Sequence, residues 1–541
     1  MVNPPAFAFN RRMLLHGLSL IAGALAQPGS STFRAASPLD SVQLDPIFHE
    51  ATDADADRAL HHASEAFTLF RKASAESRAV LLETIAEGIL AIGDELLKRA
   101  HLESGLPLDR LTGERGRTVG QLRLFAGLVR EGSWCDARID TALPDRQPVP
   151  KPDLRRMLIP LGPVVIFGAS NFPLAFSVAG GDTASALAVG CPVVVKAHPA
   201  HPGTSELVGL AIQRALADCG LPAGIFSMLH GGTAIGLTLV RHPLTRAVGF
   251  TGSRAAGVAL WKAANDRPEP IPVFAEMSSL NPVFILPGAL RERRAQIVEG
   301  LKTSVTMGVG QFCTKPGIVF GLGGEEFENF AENFGQAIGT AAPGTMLHAG
   351  IAAAYHDGLD RMEKVPGVVS LGLSGAEPDA TKTHGEPVVF ATDANDFLQH
   401  RELHHEVFGP YTLLVTAGAW TELEAAARSL EGQLTATLFA TPEDLATASD
   451  LLAILERKVG RLLVNQFPTG VEVCPSMQHG GPFPASTDAR FTSVGTAAIA
   501  RFARPVCYQN FPADSLAPEL RDENPRGILR IVNGEYSRAA T

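Results

Sequence analysis

Gly162-Pro163-Val164-Val165-Ile166-Phe167-Gly168 is a short run of apolar, β-branched residues between two glycines. Such a run suits a strand covered on both faces. Residues 177–189 follow as a helix of small side chains, and Cys191-Pro192-Val193-Val194-Val195-Lys196 is a second buried strand. Residues 204–219 read as a helix ended by Gly220, and 225–229 as a third strand. Ala247-Val248-Gly249-Phe250 is a fourth, running through Thr251-Gly252-Ser253 into another helix. This alternation predicts an α/β fold, a doubly wound parallel sheet with right-handed crossovers.

On the N-terminal side, residues 53–105 are helical: Ala59, Ala63, Ala66 and Phe67 recur at helical spacing, as do Leu81, Ile85, Ile89 and Leu90. Residues 115–130 form another helix, with Val119, Leu122, Phe125 and Ala126 on one face. Residues 141–153 are Pro-rich and polar, an exposed arm or linker. A second α/β region follows Glu276, with a strand at 282–286, a helix at 289–306 and a strand at 315–320. Residues 496–502 and 504–508 read as further strands.

A chain of 541 residues exceeds one ordinary core, so two or three domains are expected. A net charge of −10 leaves no basic footprint for nucleic acid. No segment after the N-terminus is long and apolar enough to span a bilayer. Cys135, Cys191, Cys219, Cys313, Cys474 and Cys507 form no CxxC pair and no zinc-type spacing, so no metal is expected. Scattered thiols suit a reducing, cytoplasmic setting. Arg11-Arg12 before the apolar residues 13–26 fits two readings, an ordinary first strand or a twin-arginine export segment. The strand, with a cytoplasmic location, is preferred.

Several residues carry possible chemistry. Cys313 lies in Gly310-Gln311-Phe312-Cys313-Thr314-Lys315-Pro316-Gly317, a small-residue loop with a cation two positions on. Positive charge lowers a thiol's pKa, as a cysteine nucleophile needs. Glu276, in the apolar run Val273-Phe274-Ala275-Glu276, would have a raised pKa suited to a general base, or would pair with a buried arginine. Asn171, just after the first strand, could donate to an oxyanion or simply make the turn before Pro173. Lys196 closes a strand where α/β sheets bind ligands and could hold a ribose hydroxyl or phosphate. Gly249-Phe250-Thr251-Gly252-Ser253, with Gly257, offers small residues at a helix N-terminus for a pyrophosphate, without being the GxGxxG fingerprint. Glu406 could accept both hydroxyls of a ribose or sit in a surface turn.

Taken singly these are ambiguous. Together, Asn171, Lys196, Gly252, Glu276, Cys313 and Glu406 occur in the order and approximate spacing of the aldehyde dehydrogenase superfamily, which the chain resembles over residues 32–511. The resemblance implies two doubly wound parallel-sheet domains and a small β oligomerisation arm. It divides the chain into 1–30, an extension or possible signal; 31–133 with 161–276, nucleotide-binding; 277–485, catalytic; 134–160 with 486–512, the arm; and 513–541, a tail. A homodimer or homotetramer is implied.

It also implies roles. Cys313 would attack an aldehyde, Asn171 and the Cys313 N–H would hold the oxyanion, and Glu276 would activate water. Lys196, His198, Gly252, Ser253, Glu406 and Phe408 would bind the cofactor. Many NAD-using members carry a glutamate three residues after the lysine; here that position is Pro199. NADP is therefore expected, with NAD possible, and His198 or Arg254 would help hold a 2′-phosphate.

Ser170-Asn171-Phe172-Pro173-Leu174-Ala175-Phe176-Ser177, Gly480-Gly481-Pro482-Phe483-Pro484-Ala485-Ser486 and Arg504-Pro505-Val506-Cys507-Tyr508-Gln509-Asn510-Phe511-Pro512 are similar to 2-oxoglutarate semialdehyde (2,5-dioxopentanoate) dehydrogenases. Fatty aldehyde dehydrogenases are the runner-up. A 2-oxo acid carries a carboxylate, so Arg117 or Arg123, with Phe172, would line its pocket, unless the arginines form surface ion pairs. Glu276 argues against CoA acylation. A cysteine hydrolase lacks a histidine in a recognisable partner motif.

Overall fold

The alternating apolar residues of the first strands face two different cores. Val164, Ile166, Val193 and Val195 pack with the helices Gly181–Val189 and Pro202–Asp218. Val165, Phe167 and Val194 pack on the opposite face with Thr233–Arg241, Arg254–Asn265 and Asp53–Phe70. Both faces are covered, which is why these strands read as unbroken apolar runs. The computed structural model describes residues 14–541 apart from residue 380.

The first sheet runs Val273–Glu276, Ala247–Thr251, Val164–Phe167, Val193–Lys196, Phe226–Leu229, Leu20–Ile21, Ala24–Leu25. Its first five strands are parallel. Leu20–Ile21 joins antiparallel to Phe226–Leu229, and Leu20 is fully buried. The apolar N-terminal segment is thus part of the sheet edge; Arg11 and Arg12 lie outside the described residues.

The second sheet runs Val369–Leu373, Val388–Asp393, Tyr411–Ala417, Ile318–Leu322, Val283–Ile285, Gln433–Phe439, Val459–Val464. All neighbours are parallel except the first pair. A smaller sheet of five strands combines Ala503–Gln509, Leu154–Pro160, Arg138–Asp140, Arg530–Val532 and Glu535–Ser537. The segment 513–541, expected to be a tail, therefore contributes two strands to this sheet.

One expected strand is absent. Thr496–Phe502 is a 3₁₀ helix after Gly495, whose φ is 90°. Ala498, Ile499 and Phe502 recur at helical spacing and pack into the first core, which a strand's alternation would not allow. No described helix is long and apolar enough to cross a membrane.

Candidate active site

The cysteine loop is bent by three successive left-handed residues, Gly308, Val309 and Gly310. A side chain at Gly310 would meet the Gly409 carbonyl oxygen at 2.2 Å. Asn281 Nδ2 then fastens the loop, donating to the carbonyls of Cys313 (2.8 Å) and Lys315 (3.0 Å). Lys315 does not flank the thiol as expected. Its Nζ is buried and donates to Val407 O (3.2 Å) and Tyr411 O (2.8 Å). Burial pulls its pKa to about 8, against the opposing charge of Glu406. The expectation of a thiol acidified by Lys315 fails. Burial pushes the Cys313 thiol well above its ordinary value, the Glu276 carboxylate adds to this, and Arg117 opposes it.

Glu276 ends the strand Val273–Glu276 and is 4% exposed. Its partner is a histidine, not an arginine. His479 Nε2 lies 2.9 Å from Glu276 Oε1 and 3.4 Å from Cys313 Sγ, and its side chain is fully buried. Oε1 has no aligned hydrogen-bond donor, so the 2.9 Å approach is an off-axis polar contact. Ser493 Oγ donates to Oε2 at 2.5 Å. Burial pushes the Glu276 carboxyl up, but His479, Ser493 and Cys313 outweigh it and hold it below its usual value. The raised pKa expected from the apolar run is therefore reversed. A cavity of about 20 Å³, lined by Glu276, His479 and Ser493 among others, has room for one water.

Asn171 is 9% exposed and donates through Nδ2 to Gln311 O at 3.1 Å, which brings it to the cysteine loop. Glu114 braces its turn by accepting from Leu174 N and Ala175 N. Arg110 donates to Asn171 O, with its guanidinium 4.8 Å from the Phe172 ring and 5.0 Å from the Phe312 ring. Arg117 lies 5.8 Å from the Phe172 ring and 5.2 Å from that of Phe176. Its Nε and Nη2 are buried without hydrogen-bond partners. Burial lowers its pKa, while Cys313, Glu114, Glu276 and Glu472 raise it. Arg123 is a correction. It pairs with Glu87 at 2.6 Å, with side chains 51% and 53% exposed, as a surface ion pair. Six residues apart in a helix of 3.6 residues per turn, Arg117 and Arg123 face different ways.

Glu276 is tied to the proposed pyrophosphate turn, for Gly252 N donates to Glu276 O at 3.1 Å. Ser253 caps the helix Arg254–Asn265. A side chain at Gly252 would meet the Phe250 ring at 2.7 Å, and one at Gly257 would meet Met277 Sδ at 2.6 Å. The small residues keep this helix N-terminus open to an anionic group, so the residues fit a dinucleotide. Lys196 ends its strand half-buried. Burial lowers it to about 8 and Glu50 opposes that. His198 stacks on His201, ring centroids 5.4 Å apart. Burial, then the charges of His201, Lys196 and His348, hold it well below its ordinary pKa. Arg254 is engaged by Glu431 at 2.5 Å. Neither is a free cation for a 2′-phosphate. Burial raises Glu406 to about 7, with Lys315, Ser278 and Ser279 opposing; Phe408 is half-buried in the same loop.

His479 is the neighbour of Cys313 and Glu276 that sequence reasoning missed. It directly precedes the distinctive run from Gly480 to Ser486, the only local signal available.

Residues 26–488 match the model of the aldehyde dehydrogenase family. The chain is 51% identical to alpha-ketoglutaric semialdehyde dehydrogenase 2 of Azospirillum brasilense, over 97% of this chain and 100% of that protein. It is 46% identical to the alpha-ketoglutaric semialdehyde dehydrogenase of Acinetobacter baylyi, over 96% and 98%. Its fold matches a betaine aldehyde dehydrogenase of Staphylococcus aureus in complex with NAD+ at TM-score 0.78 and 19% identity, covering 93% of this chain and 99% of that one.

Removing the Ser493 donor with Ser493→Ala should raise the Glu276 pKa. A base must be deprotonated to act, so the acid limb of the kcat–pH profile should move to higher pH. An unmoved limb in steady-state kinetics would show that Glu276 is not the titrating base.

Proposed function

We propose that this chain, which belongs to the aldehyde dehydrogenase family, oxidises 2,5-dioxopentanoate to 2-oxoglutarate with NAD(P). The observation that carries the substrate is Arg117, a buried guanidinium with two unpartnered nitrogens, Nε and Nη2, among the aromatic rings beside Cys313. A carboxylate at the far end of the aldehyde would satisfy them; an alkyl chain would leave them unpaired, at a cost. The activity of the two relatives with high identity supports the same substrate.

In the reading we favour, Glu276 takes the thiol proton of Cys313, and the His479 N–H facing Sγ stabilises the thiolate. The proton leaves through water beside Glu276. Sγ adds to the aldehyde carbon. Asn171 Nδ2 turns from Gln311 O to the new oxyanion, joined by the Cys313 N–H. A bound nicotinamide would supply the acceptor for the hydride that leaves that carbon. A thioester remains on Cys313. Glu276, again ionised, removes a proton from water as it attacks the thioester, and the carboxylic acid departs with Cys313 restored. Lys196, Gly252, Ser253, Glu406 and Phe408 would hold the dinucleotide.

For the cofactor, Pro199 in place of a ribose-binding carboxylate supports NADP, with NAD also accepted. With His198 and Arg254 committed elsewhere, Lys196 is left to meet a 2′-phosphate, and Glu50 works against it. Six free cysteines support a cytoplasmic enzyme, and the two outer strands of the arm sheet support pairing with further copies.

Two experiments test this. Arg117→Leu should reduce kcat/KM for 2,5-dioxopentanoate by about 30-fold or more, the loss of ~2 kcal/mol that attends one missing partner of a buried charge; an uncharged alkanal of similar length should lose distinctly less, since for it only the charge that Arg117 places near Cys313 is gone. Equal losses on both substrates, or fastest turnover of a long alkanal by the unaltered enzyme, would reject the substrate. Glu50→Gln should shift the ratio of kcat/KM values toward NADP severalfold, and activity with NAD alone in both proteins would reject the cofactor reading.

A further inference from the structure

Cys313 Sγ, His479 Nε2 and a Glu276 carboxylate oxygen all lie within 4.8 Å of one another. Thiolate, imidazole and carboxylate are the three ligand types of zinc. The spacing is close to what the ion imposes. Bonds of ~2.3 Å to sulfur and ~2.0–2.1 Å to nitrogen at a tetrahedral angle set S and N about 3.5 Å apart; here they are 3.4 Å apart. The nitrogen–oxygen edge, 2.9 Å, needs to open by only a few tenths of an ångström.

Two buried atoms at the cluster are unsatisfied. Glu276 Oε1 has no aligned hydrogen-bond donor, and His479 Nδ1 has no partner. The tautomer of a ligating histidine is ordinarily fixed by the bond its other nitrogen makes. At rest Glu276 and Cys313 face a proton on Nε2; no partner opposes its move to Nδ1, which frees the Nε2 lone pair for an ion. The expectation of no metal came from the absence of local spacing. These three ligands come from three separate parts of the chain, where spacing carries no signal.

We propose that Cys313, His479 and Glu276 form a reversible inhibitory site for Zn²⁺. On binding, the thiol proton is released to solvent as the sulfur–zinc bond forms, Nε2 and Oε1 add as neutral and anionic donors, and water takes the fourth position. No electrons move. Nucleophile and base are captured together, so the enzyme stops until the ion is removed. The arrest rests on the function proposed above; the binding does not.

The test uses Co²⁺ as a spectroscopic stand-in on the full-length protein. One equivalent should produce a thiolate-to-cobalt charge-transfer band that Zn²⁺ displaces and Cys313→Ser abolishes. His479→Gln should weaken Zn²⁺ binding at least about 10-fold, in line with the loss of a metal-site group. Zn²⁺ should shield Cys313 from iodoacetamide, and a chelator should restore reactivity. The trio Asp57, His61 and His242 has no sulfur and gives no such band. No band, a band that survives Cys313→Ser, or unchanged affinity in His479→Gln would each overturn the site. A normal band in a protein that oxidises no aldehyde rejects the oxidative function instead; normal oxidation without a band rejects the metal site alone.

Discussion

A thiol and a carboxylate share one buried space at the meeting of the cysteine loop and the strand end of Glu276. Two anions there would repel each other in a poorly solvated setting, so the pair favours a single negative charge. At rest that charge sits on Glu276: burial and the carboxylate push Cys313 up, while His479 and Ser493 hold Glu276 down. In the proposed mechanism the charge moves to sulfur, and His479, facing both atoms, is placed to follow it. The same donors that permit this exchange would also hold a soft divalent cation.

The fold builds this arrangement by bringing separate chain segments to one point. Gly252 N binds Glu276 O, and Met277 N binds Ala485 O, so the Glu276 strand end is pinned both to the Gly252 turn and to the segment that follows His479. Asn281 fixes the cysteine loop from one side and Gly310 lets it close against Gly409 on the other. Arg110 and Glu114 brace the Asn171 turn, and Arg117, on the same helix Leu108–Glu131, puts positive charge near the thiol.

What could be read in the sequence was what local physics dictates. Val164–Phe167 and Val193–Lys196 were legible because a strand covered on both faces must be apolar throughout. Cys313, Glu276 and Asn171 were legible as an ordered set, and they do converge. His479 was not, because it reaches Cys313 across 166 residues of chain. The direction of Lys315 was hidden for a related reason: nearness in sequence does not say which way a side chain turns in a tight loop. Arg117 and Arg123 looked equivalent until helical phase separated them. The arm strands Arg530–Val532 and Glu535–Ser537 are too short to show a periodicity.

The shared charge is tested most directly by titrating the Cys313 thiolate, as the difference in thiolate absorbance between the enzyme and Cys313→Ser, with Glu276 intact and with Glu276→Gln. A neutral amide removes the competing anion, so the thiol should ionise at distinctly lower pH in the Glu276→Gln background. An unchanged titration would mean that the carboxylate does not control the sulfur, contradicting the account at its centre.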